Sequence, residues 1–292
     1  MSNLHLTSPA FRQQPSVIPN VDPAAPMALV LAVDLIAPGI VELLAVGDVS
    51  SQSYRWQVDA GAASLPVVGL KPGKSYRLEV SVIDAVGQRF EAEPLFVQTP
   101  ALPICSLDFP PLRVNRADRA LMEPGLTLLS VRRRALGRSH RMTPEQRRFT
   151  TEWSLILALD EDGDIVWFYR SPSRIAGVTT LDNGNLFFHT ARNSPTEIDW
   201  LGRTLRCWGA ALGPNPMPAG AIPVQAVTLH HQPDTLTNGN FLSLNAVPRR
   251  IEAYYTSETD ATAPRRTQWV MGDEVIEFTP QGEVVWRWNS FD

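Results

Sequence analysis

The sequence contains little cysteine, no metal-binding motif and no long uninterrupted apolar run. Its 292 residues include two cysteines, Cys105 and Cys207, which match neither a C-x-x-C motif nor the spacing of zinc ligands. No H-x-H, H-x-x-x-H or EF-hand pattern occurs, so we expect no bound metal and no cofactor. The most apolar stretch, residues 27–46, is broken by charged residues, a proline and a glycine, which excludes a membrane span.

An excess of positive charge is also missing. The net charge of −4 argues against a nucleic-acid partner. The first 20 residues lack the apolar core of a signal peptide. We therefore expect a cytoplasmic location for the chain as written, and a periplasmic or exported one if the true N-terminus lies upstream.

Helical periodicity is the third feature that the sequence lacks. The 25 prolines would interrupt long helices, and short alternating apolar patterns predict an all-β chain. At roughly 150 residues per domain, the length predicts about two domains. We predict a flexible tail over residues 1–25, a β-sandwich over 26–103, a linker over 104–120 and a second β domain over 121–292.

The phrase GLKPGKSYRLEV at residues 69–80 resembles the fibronectin type III pattern. In it Leu70, Pro72 and Gly73 precede a strand that starts near Tyr76, and such a tyrosine lies near a sheet corner in related sandwiches. We therefore predict a fibronectin type III-like sandwich for the first domain. The alternative is a surface hairpin in another kind of all-β domain.

The second domain contains internal repeats. LDNGNLFFHTA (181–191) aligns without gaps with LTNGNFLSLNA (236–246), and both carry Asn-Gly before an apolar run, which predicts a hairpin. EDGDIVW (161–167) matches PQGEVVW (280–286), and DWLGRTLRCW (199–208) is a looser copy. Each copy predicts a strand, a glycine turn and a strand that ends in tryptophan.

Repeated hairpins at intervals of tens of residues predict a β-propeller. The repeats account for about three blades, with an insertion at about 248–268, whereas closed propellers have about four to eight. The sequence therefore predicts an incomplete propeller, in a chain that is the front part of a larger protein or a truncated copy of one. The open edge predicts self-association, which includes a homodimer.

Three phrases in this order resemble the arylsulfate sulfotransferase family. They are MEPGLTLLSV (122–131), LILALDEDGDIVWFYR (155–170) and LHHQPDTLTNGNFLSLNA (229–246). The resemblance covers roughly residues 115–292. It implies a small N-terminal sandwich before a six-bladed propeller, and sulfuryl transfer from an aryl sulfate to a phenol through a histidine in the central channel. An aryl sulfate and a phenol are then the expected partners, with no nucleic acid and no membrane.

The chain departs from the family pattern in its later part. The nucleophilic histidine of the family lies in later blades, together with a D-W-x-H-x-N phrase. Here the Asp199-Trp200 pair continues as Leu-Gly-Arg, and the last residues are WRWNSFD. We therefore expect the nucleophile beyond Asp292 and assign no catalytic residue within the chain. On this reading the chain alone does not catalyse the transfer.

His230 and His231 are the candidate substrate-binding residues. In a regular strand the two side chains would point to opposite faces, so only one would face the channel. The alternation of side chains along the strand leaves the choice open, because the inner strands of a propeller line a polar channel with one face. By similarity to the histidine-acid pair of the family we favour His231, which is followed by Gln232, as a ligand of the sulfate oxygens. The alternative is a pair of surface histidines at a strand end.

The remaining histidines and the charged runs have structural interpretations. His189 takes the position of Leu244 in the other repeat, which indicates packing, and His5 and His140 receive no role. A long solvated loop explains the arginine run better than an anion site does; its members are Arg132, Arg133, Arg134, Arg138, Arg141, Arg147 and Arg148. A hairpin turn explains the acidic residues that surround Gly163, which are Asp160, Glu161, Asp162 and Asp164.

Two functions stay open at this point. The first is an aryl sulfotransferase-family protein, and the second is a non-catalytic binding module built from a sandwich and propeller blades. A quinone-cofactor propeller dehydrogenase fits less well, because its tryptophan-docking phrases and acidic calcium ligands are not seen.

Overall fold

The computed structural model describes residues 10–105, 109–134, 142–191 and 193–292. Over these ranges the chain forms twenty β-strands, one α-helix and one 3-10 turn, which confirms the all-β prediction. No helix within them is both long enough and apolar enough to cross a membrane. His5, His140, Arg138 and Arg141, which the sequence analysis considered, lie outside the described residues.

Eight strands of the N-terminal part form two antiparallel sheets. They are β1 (Phe11–Pro19), β2 (Leu29–Leu35), β3 (Gly39–Gly47), β4 (Ser51–Val58), β5 (Gly61–Val67), β6 (Ser75–Ile83), β7 (Arg89–Glu91) and β8 (Leu95–Gln98). One sheet has the order β1-β2-β5, and the other has the order β4-β3-β6-β7 with β8 also paired to β6. The two sheets share one buried apolar cluster.

Strand alternation explains this cluster. In β2 every second residue, from Leu29 through Leu31 and Val33 to Leu35, is buried, while the residues between them are partly exposed, as expected for a strand with one face in a core. Tyr76 of β6 is also buried. Its hydroxyl accepts a hydrogen bond from the Lys71 backbone N–H at 3.0 Å, so the ring ties the strand to the turn that precedes it.

The prediction of a flexible tail over residues 1–25 is wrong for the stretch that forms β1. This strand pairs antiparallel with β2, and Phe11 is buried in the shared cluster. The polar run of glutamines in this stretch hid the strand. β1 is an edge strand with mostly exposed side chains, so only its few inward residues carry an apolar signal.

Between β8 and the next strand the described residues contain only the 3-10 turn Arg119–Leu121. The later strands form three further sheets. They are β9 (Thr127–Arg132), β10 (Ser154–Leu159), β11 (Ile165–Ser171), β12 (Ile175–Thr180), β13 (Leu186–Thr190), β14 (Ser194–Ile198), β15 (Thr204–Ala210), β16 (Ile222–Val224), β17 (His230–Thr235), β18 (Phe241–Tyr254), β19 (Arg266–Phe278) and β20 (Val284–Asn289). The sheet orders are β11-β10-β9, β12-β13-β14-β15-β16 and β17-β18-β19-β20.

The helix α1 (Pro144–Thr151) replaces part of the loop that was predicted for the arginine run. Its capping box explains why it forms, since the Thr143 hydroxyl accepts from the Gln146 N–H and the Gln146 side chain accepts from the Thr143 N–H. Pro144 suits the first helical position. The prediction of an irregular loop is therefore wrong at Arg147 and Arg148, which lie on this helix.

The repeated phrases of the sequence share one turn. In residues 160–164, 181–185, 236–240 and 279–283 the first N–H donates to the carbonyl of the fifth residue, and the glycine N–H donates back to the first carbonyl. Each glycine has φ between 80° and 88°. This is a type I turn with a left-handed glycine that forms a bulge, a common three-residue hairpin loop.

The chain packs into two compact units. One comprises the described residues of Met1–Val131, Leu155–Ser171 and Trp200–Arg203, and the other those of Arg132–Ser154, Pro172–Asp199 and Thr204–Asp292. The core of the second unit lies between the β12–β16 and β17–β20 sheets. It centres on aromatic side chains, among them Phe187, Trp208, Phe241 and Phe278.

Two buried tryptophans bond to glycine turns. The indole N–H of Trp167 donates to the Trp200 carbonyl at 2.9 Å, and that of Trp208 donates to the Pro280 carbonyl at 3.1 Å. Trp167 is the last residue of the repeated phrase EDGDIVW, and Pro280 belongs to the phrase PQGEVVW. The repeats therefore carry both the apolar ring and its hydrogen-bond acceptor.

Candidate functional site

Three histidines approach one another in the second unit. His189 lies on β13, and His230 and His231 begin β17. The rings of His230 and His231 are 5.4 Å apart and inclined at 63°. Both histidines and the exposed Arg174 are close enough to influence the charge of His189. The structure thus brings both predicted site residues together with His189, and we call these three residues the histidine cluster.

His230 is held on both sides of its ring. Nδ1 lies 2.8 Å from the Thr228 hydroxyl, and Nε2 lies 3.3 Å from Oδ1 of Asp273 on β19. The Thr228 oxygen also accepts the Ala246 N–H at 2.8 Å, which fixes the position of this hydroxyl. In the tautomer in which Nδ1 accepts the Thr228 hydroxyl proton, the neutral ring carries its own proton on Nε2. The orientation of His230 is therefore fixed.

His231 departs from strand geometry. Its φ is +62°, in the left-handed region that few residues other than glycine adopt, and it lies where the β17–β18 register is irregular. The rule that neighbouring side chains take opposite faces assumed a regular strand, so it does not hold here. His231 is exposed, and no hydrogen bond from the described residues reaches its ring.

A layer of polar side chains supports the segment that precedes the cluster. The Asn245 amide oxygen accepts the N–H groups of Val227 and Thr228 at 2.8 and 3.0 Å. Its amide nitrogen donates to Glu274 at 2.8 Å, and Arg287 donates to the same carboxylate oxygen at 2.6 Å. Asn245 and Glu274 are buried. This network holds the backbone of Thr228, and hence its hydroxyl, against His230.

His189 is a buried member of the cluster. It is 5% exposed, which confirms its interpretation as a packing residue. Its Nε2–H donates to the Leu229 carbonyl at 2.5 Å. Burial lowers the pKa of His189, and the positive charges nearby add to that effect while the hydrogen bond opposes it. His189 therefore stays neutral and anchors the residue before His230.

The acidic turn forms a different kind of site. The Asp160 carboxylate accepts the N–H groups of Asp162 and Asp164, which confirms that turn formation explains these residues. The three carboxylates lie within 4.8 Å of one another. The Lys71 ammonium lies among them, at 2.8 Å from Asp160, 3.0 Å from Asp162 and 2.6 Å from Asp164. A lysine of the chain itself thus offsets part of the negative charge of this group.

In the arginine run, Arg133 packs between two aromatic rings. Its guanidinium carbon lies 4.6 Å from the ring centre of Phe149 and 4.4 Å from that of Trp153. Contacts of this kind stabilise the packing of Arg133 against α1 and the segment that follows it by cation–π attraction. Arg133 therefore has a packing role, whereas Arg132, Arg134, Arg147 and Arg148 are exposed.

Comparison with known proteins places the chain in a family. Residues 113–292 match the family model described as Arylsulfotransferase (ASST). The chain belongs to the arylsulfotransferase family. The match covers more than half of the chain and includes every member of the histidine cluster. No curated protein matches the sequence.

Within this member of the arylsulfotransferase family, sequence reasoning missed the residues that position His230. Thr228 and Asp273 belong to no motif, and Asp273 lies more than 40 residues further along the chain. Asn245 carried a faint signal, because it is the fourth residue of the phrase LSLNA, which aligns with FFHTA in the other repeat. A polar residue inside an apolar strand pattern indicates a buried hydrogen-bonding role.

Proposed function

We propose that this protein acts in sulfuryl transfer from an aryl sulfate to a phenol, and that His230 and His231 of the histidine cluster bind the sulfuryl oxygens. The observation that supports this most is the exposed ring of His231, which stands beside the anchored ring of His230 and has no partner among the described residues. Its left-handed backbone is costly, and strain of this kind is retained at functional sites.

The charges of the cluster suit a sulfate ester. Sulfuryl oxygens carry negative charge that increases as the ester bond breaks, and fixed hydrogen-bond donors stabilise it. His231 offers its ring nitrogens to solvent, and Arg174 adds a positive charge near the cluster. His189 contributes no charge because burial keeps it neutral. Donors for the sulfuryl oxygens are therefore His231 first, and His230 through its Nε2–H.

We assign none of these three histidines the role of nucleophile. In the reaction, a histidine nitrogen attacks sulfur, the bond from sulfur to the aryl oxygen breaks and a phenolate leaves. The acceptor phenol then attacks sulfur, loses its proton, and the sulfur–nitrogen bond breaks. His189 is buried with Nε2 bonded to the Leu229 carbonyl, and Nδ1 of His230 is bonded to the Thr228 hydroxyl. His231 is assigned to binding, in line with the histidine pair of the family.

The finer architecture belongs to the same proposal. The two N-terminal sheets around one core, with the Tyr76 hydroxyl bonded to the Lys71 backbone, support a fibronectin type III-like sandwich over residues 26–103. The three sheets of residues 127–289, with their repeated turn, support blades of an incomplete propeller over residues 121–292.

Binding and turnover with p-nitrophenyl sulfate test the proposal. We expect this chain to bind the ester, and His231→Ala to weaken binding at least about tenfold, as the loss of a charge-stabilising donor does. His5→Ala, which removes a histidine that the sequence analysis gives no role, is the control. We expect no p-nitrophenol release with phenol as acceptor. Phenol-dependent release would overturn the assignment of roles, and an unchanged affinity of His231→Ala would overturn the binding site.

A non-catalytic binding module is the second candidate. It is favoured by large apolar side chains on β20, where Trp286 and Trp288 are 49% and 54% exposed. Such patches mark interaction surfaces. If the chain bound a protein partner through these tryptophans and failed to bind aryl sulfates, this second function would replace the first.

A further inference from the structure

The strands β18 and β19 continue as a two-stranded ribbon beyond their sheet. Their pairing runs from Phe241↔Phe278 to Tyr254↔Arg266. β17 pairs with β18 only between His230 and Thr235, and β20 pairs with β19 only up to Glu274. This ribbon fills the region where the sequence predicted an insertion.

One face of the ribbon continues the face that carries His230. Directly paired residues point to the same side of a sheet, and alternate residues along a strand share that side. His230 pairs with Leu244, and the rows that follow along β18 and β19 on that side are Ala246 with Asp273, Pro248 with Met271, and Arg250 with Trp269. The contact between Asp273 and His230 confirms this direction. Asp273, Met271 and Trp269 therefore form a row along β19 that begins at the histidine cluster and runs away from it.

The opposite face of the ribbon is covered by the chain itself. Arg249 donates to the Phe291 carbonyl at 2.8 Å and lies over the Phe291 ring. The Phe291 ring also lies against Gly272, where a β-carbon would come within 2.4 Å of it. The two sides of the ribbon thus differ. On the side that faces the cluster, Met271 is 65% exposed and Trp269 is 72% exposed.

We infer that Met271 and Trp269 bind the aryl group of a sulfate ester whose sulfuryl oxygens lie at His230 and His231. This inference rests on the proposed function and names the part of the substrate that the histidines do not recognise. Residues two apart on a strand are about 7 Å apart, so the ring of a bound ester meets Met271 first and Trp269 beyond it. Thioether and indole groups are favourable surfaces for an aromatic ring. The arrangement favours bicyclic aryl groups over a single ring.

NMR titrations with three ligands test this inference. The ligands are inorganic sulfate, phenyl sulfate and 4-methylumbelliferyl sulfate, which share the anion and differ in aryl size. We expect affinity to increase in that order. Trp269→Ala and Met271→Ala should weaken the binding of 4-methylumbelliferyl sulfate about three- to tenfold. The affinity for inorganic sulfate should stay within about twofold of the wild-type value. Trp269→Phe, which keeps an aromatic surface, should restore most of the affinity.

Val270→Ala is the matched control, because it removes apolar surface from the opposite side of the same strand. Unchanged affinity of Trp269→Ala and Met271→Ala for the bicyclic ester, while the wild-type chain binds all three ligands, would overturn the inference and leave the proposed function in place. Equal losses for the ester and for inorganic sulfate would also overturn it. Failure of the wild-type chain to bind any of the ligands would overturn both.

Discussion

One position of the repeat holds a histidine in one copy and a leucine in the other. His189 occupies the position that Leu244 occupies in the other copy, and both lie on central strands. The imidazole is nevertheless buried, because its Nε2–H meets the Leu229 carbonyl at 2.5 Å. A leucine there would keep the packing and lose this bond. The histidine thus connects the core of one sheet to the strand that begins with His230.

The variant His189→Leu keeps the apolar packing at this position and removes the hydrogen bond and the titratable ring. The loss of the hydrogen bond leaves a buried carbonyl unpaired, which should lower the free energy of unfolding by about 1–3 kcal/mol at pH 7. The lowered pKa of His189 means that the unfolded chain binds a proton more readily below about pH 6.5, so acidification destabilises the wild type. Urea unfolding from pH 7.5 to pH 5 should show a smaller acid-induced loss in His189→Leu. An equal loss in both proteins would show that His189 is not the group responsible.

At the scale of elements, the glycine turns differ in the charge of the side chain that they bind: two turns bind a glutamate, and one binds a lysine. In two turns, asparagines donate to a glutamate: Asn183 and Asn185 to Glu197 at 3.0 and 2.6 Å, and Asn238 and Asn240 to Glu277 at the same distances. In the turn at residues 160–164 aspartates replace these asparagines and accept from the Lys71 ammonium. One backbone turn therefore accommodates either an anion or a cation.

Asn185→Ala should cost more stability than Asn240→Ala. Glu197 is 1% exposed, so a lost donor leaves a buried carboxylate poorly solvated, at a cost of about 1–3 kcal/mol. Glu277 is half-buried, and water can replace the lost amide, so a clearly smaller cost is expected there. Urea denaturation of the two variants measures the difference. Equal costs would contradict this reading of the turns.

Lys71→Met should destabilise the chain at neutral pH and much less in acid. Burial lowers the pKa of Lys71, but its bonds to Asp160, Asp164 and Asp162 outweigh this and raise it above its usual value. The bonds of Asp162 to Arg119 and Lys71 lower its pKa, so the stability from this group is lost as the pH falls through that lowered pKa. The melting temperatures of variant and wild type should converge below about pH 4. A constant difference at all pH values would contradict the electrostatic origin.

The sequence predicted the repeated hairpins and the pairing of apolar faces, because these depend on local patterns of glycine and alternation. It did not predict β1, whose exposed face gives no alternation signal, or α1, whose signal is confined to the capping box around Thr143. It identified His230 and His231 but not Thr228 or Asp273. Their role depends on strand register between distant segments, which no local pattern encodes.

At the scale of the molecule, the β17–β20 sheet exposes a face, whereas the tryptophan of the last long strand in the β12–β16 sheet is buried. Trp288 pairs with Val275, which pairs with Leu244, so these side chains share the outward side of the β17–β20 sheet. Trp208 belongs to the β12–β16 sheet. It is fully buried in the apolar cluster between that sheet and the β17–β20 sheet. The tryptophans of β20 remain about half exposed. An apolar surface of this kind drives association.

We therefore predict concentration-dependent self-association of the chain through the β20 tryptophans. Sedimentation velocity should show a rising mean mass with concentration, and the double variant Trp286→Gln/Trp288→Gln should shift the profile toward the monomer. Replacement of Tyr255, an exposed aromatic residue that lies beyond β18, serves as the control and should change nothing. A wild-type chain that stays monomeric at high concentration would disprove this prediction.

The most direct test of the account is the response of the histidine imidazoles to an aryl sulfate. NMR spectra of the imidazole nitrogens, assigned with single His→Gln variants, report each ring of the cluster separately during titration with p-nitrophenyl sulfate. We predict a large saturable shift at His231, a smaller one at His230, and almost none at His189, whose ring is buried and bonded to the Leu229 carbonyl. Saturable binding that leaves the signals of His230 and His231 unmoved would contradict the central claim.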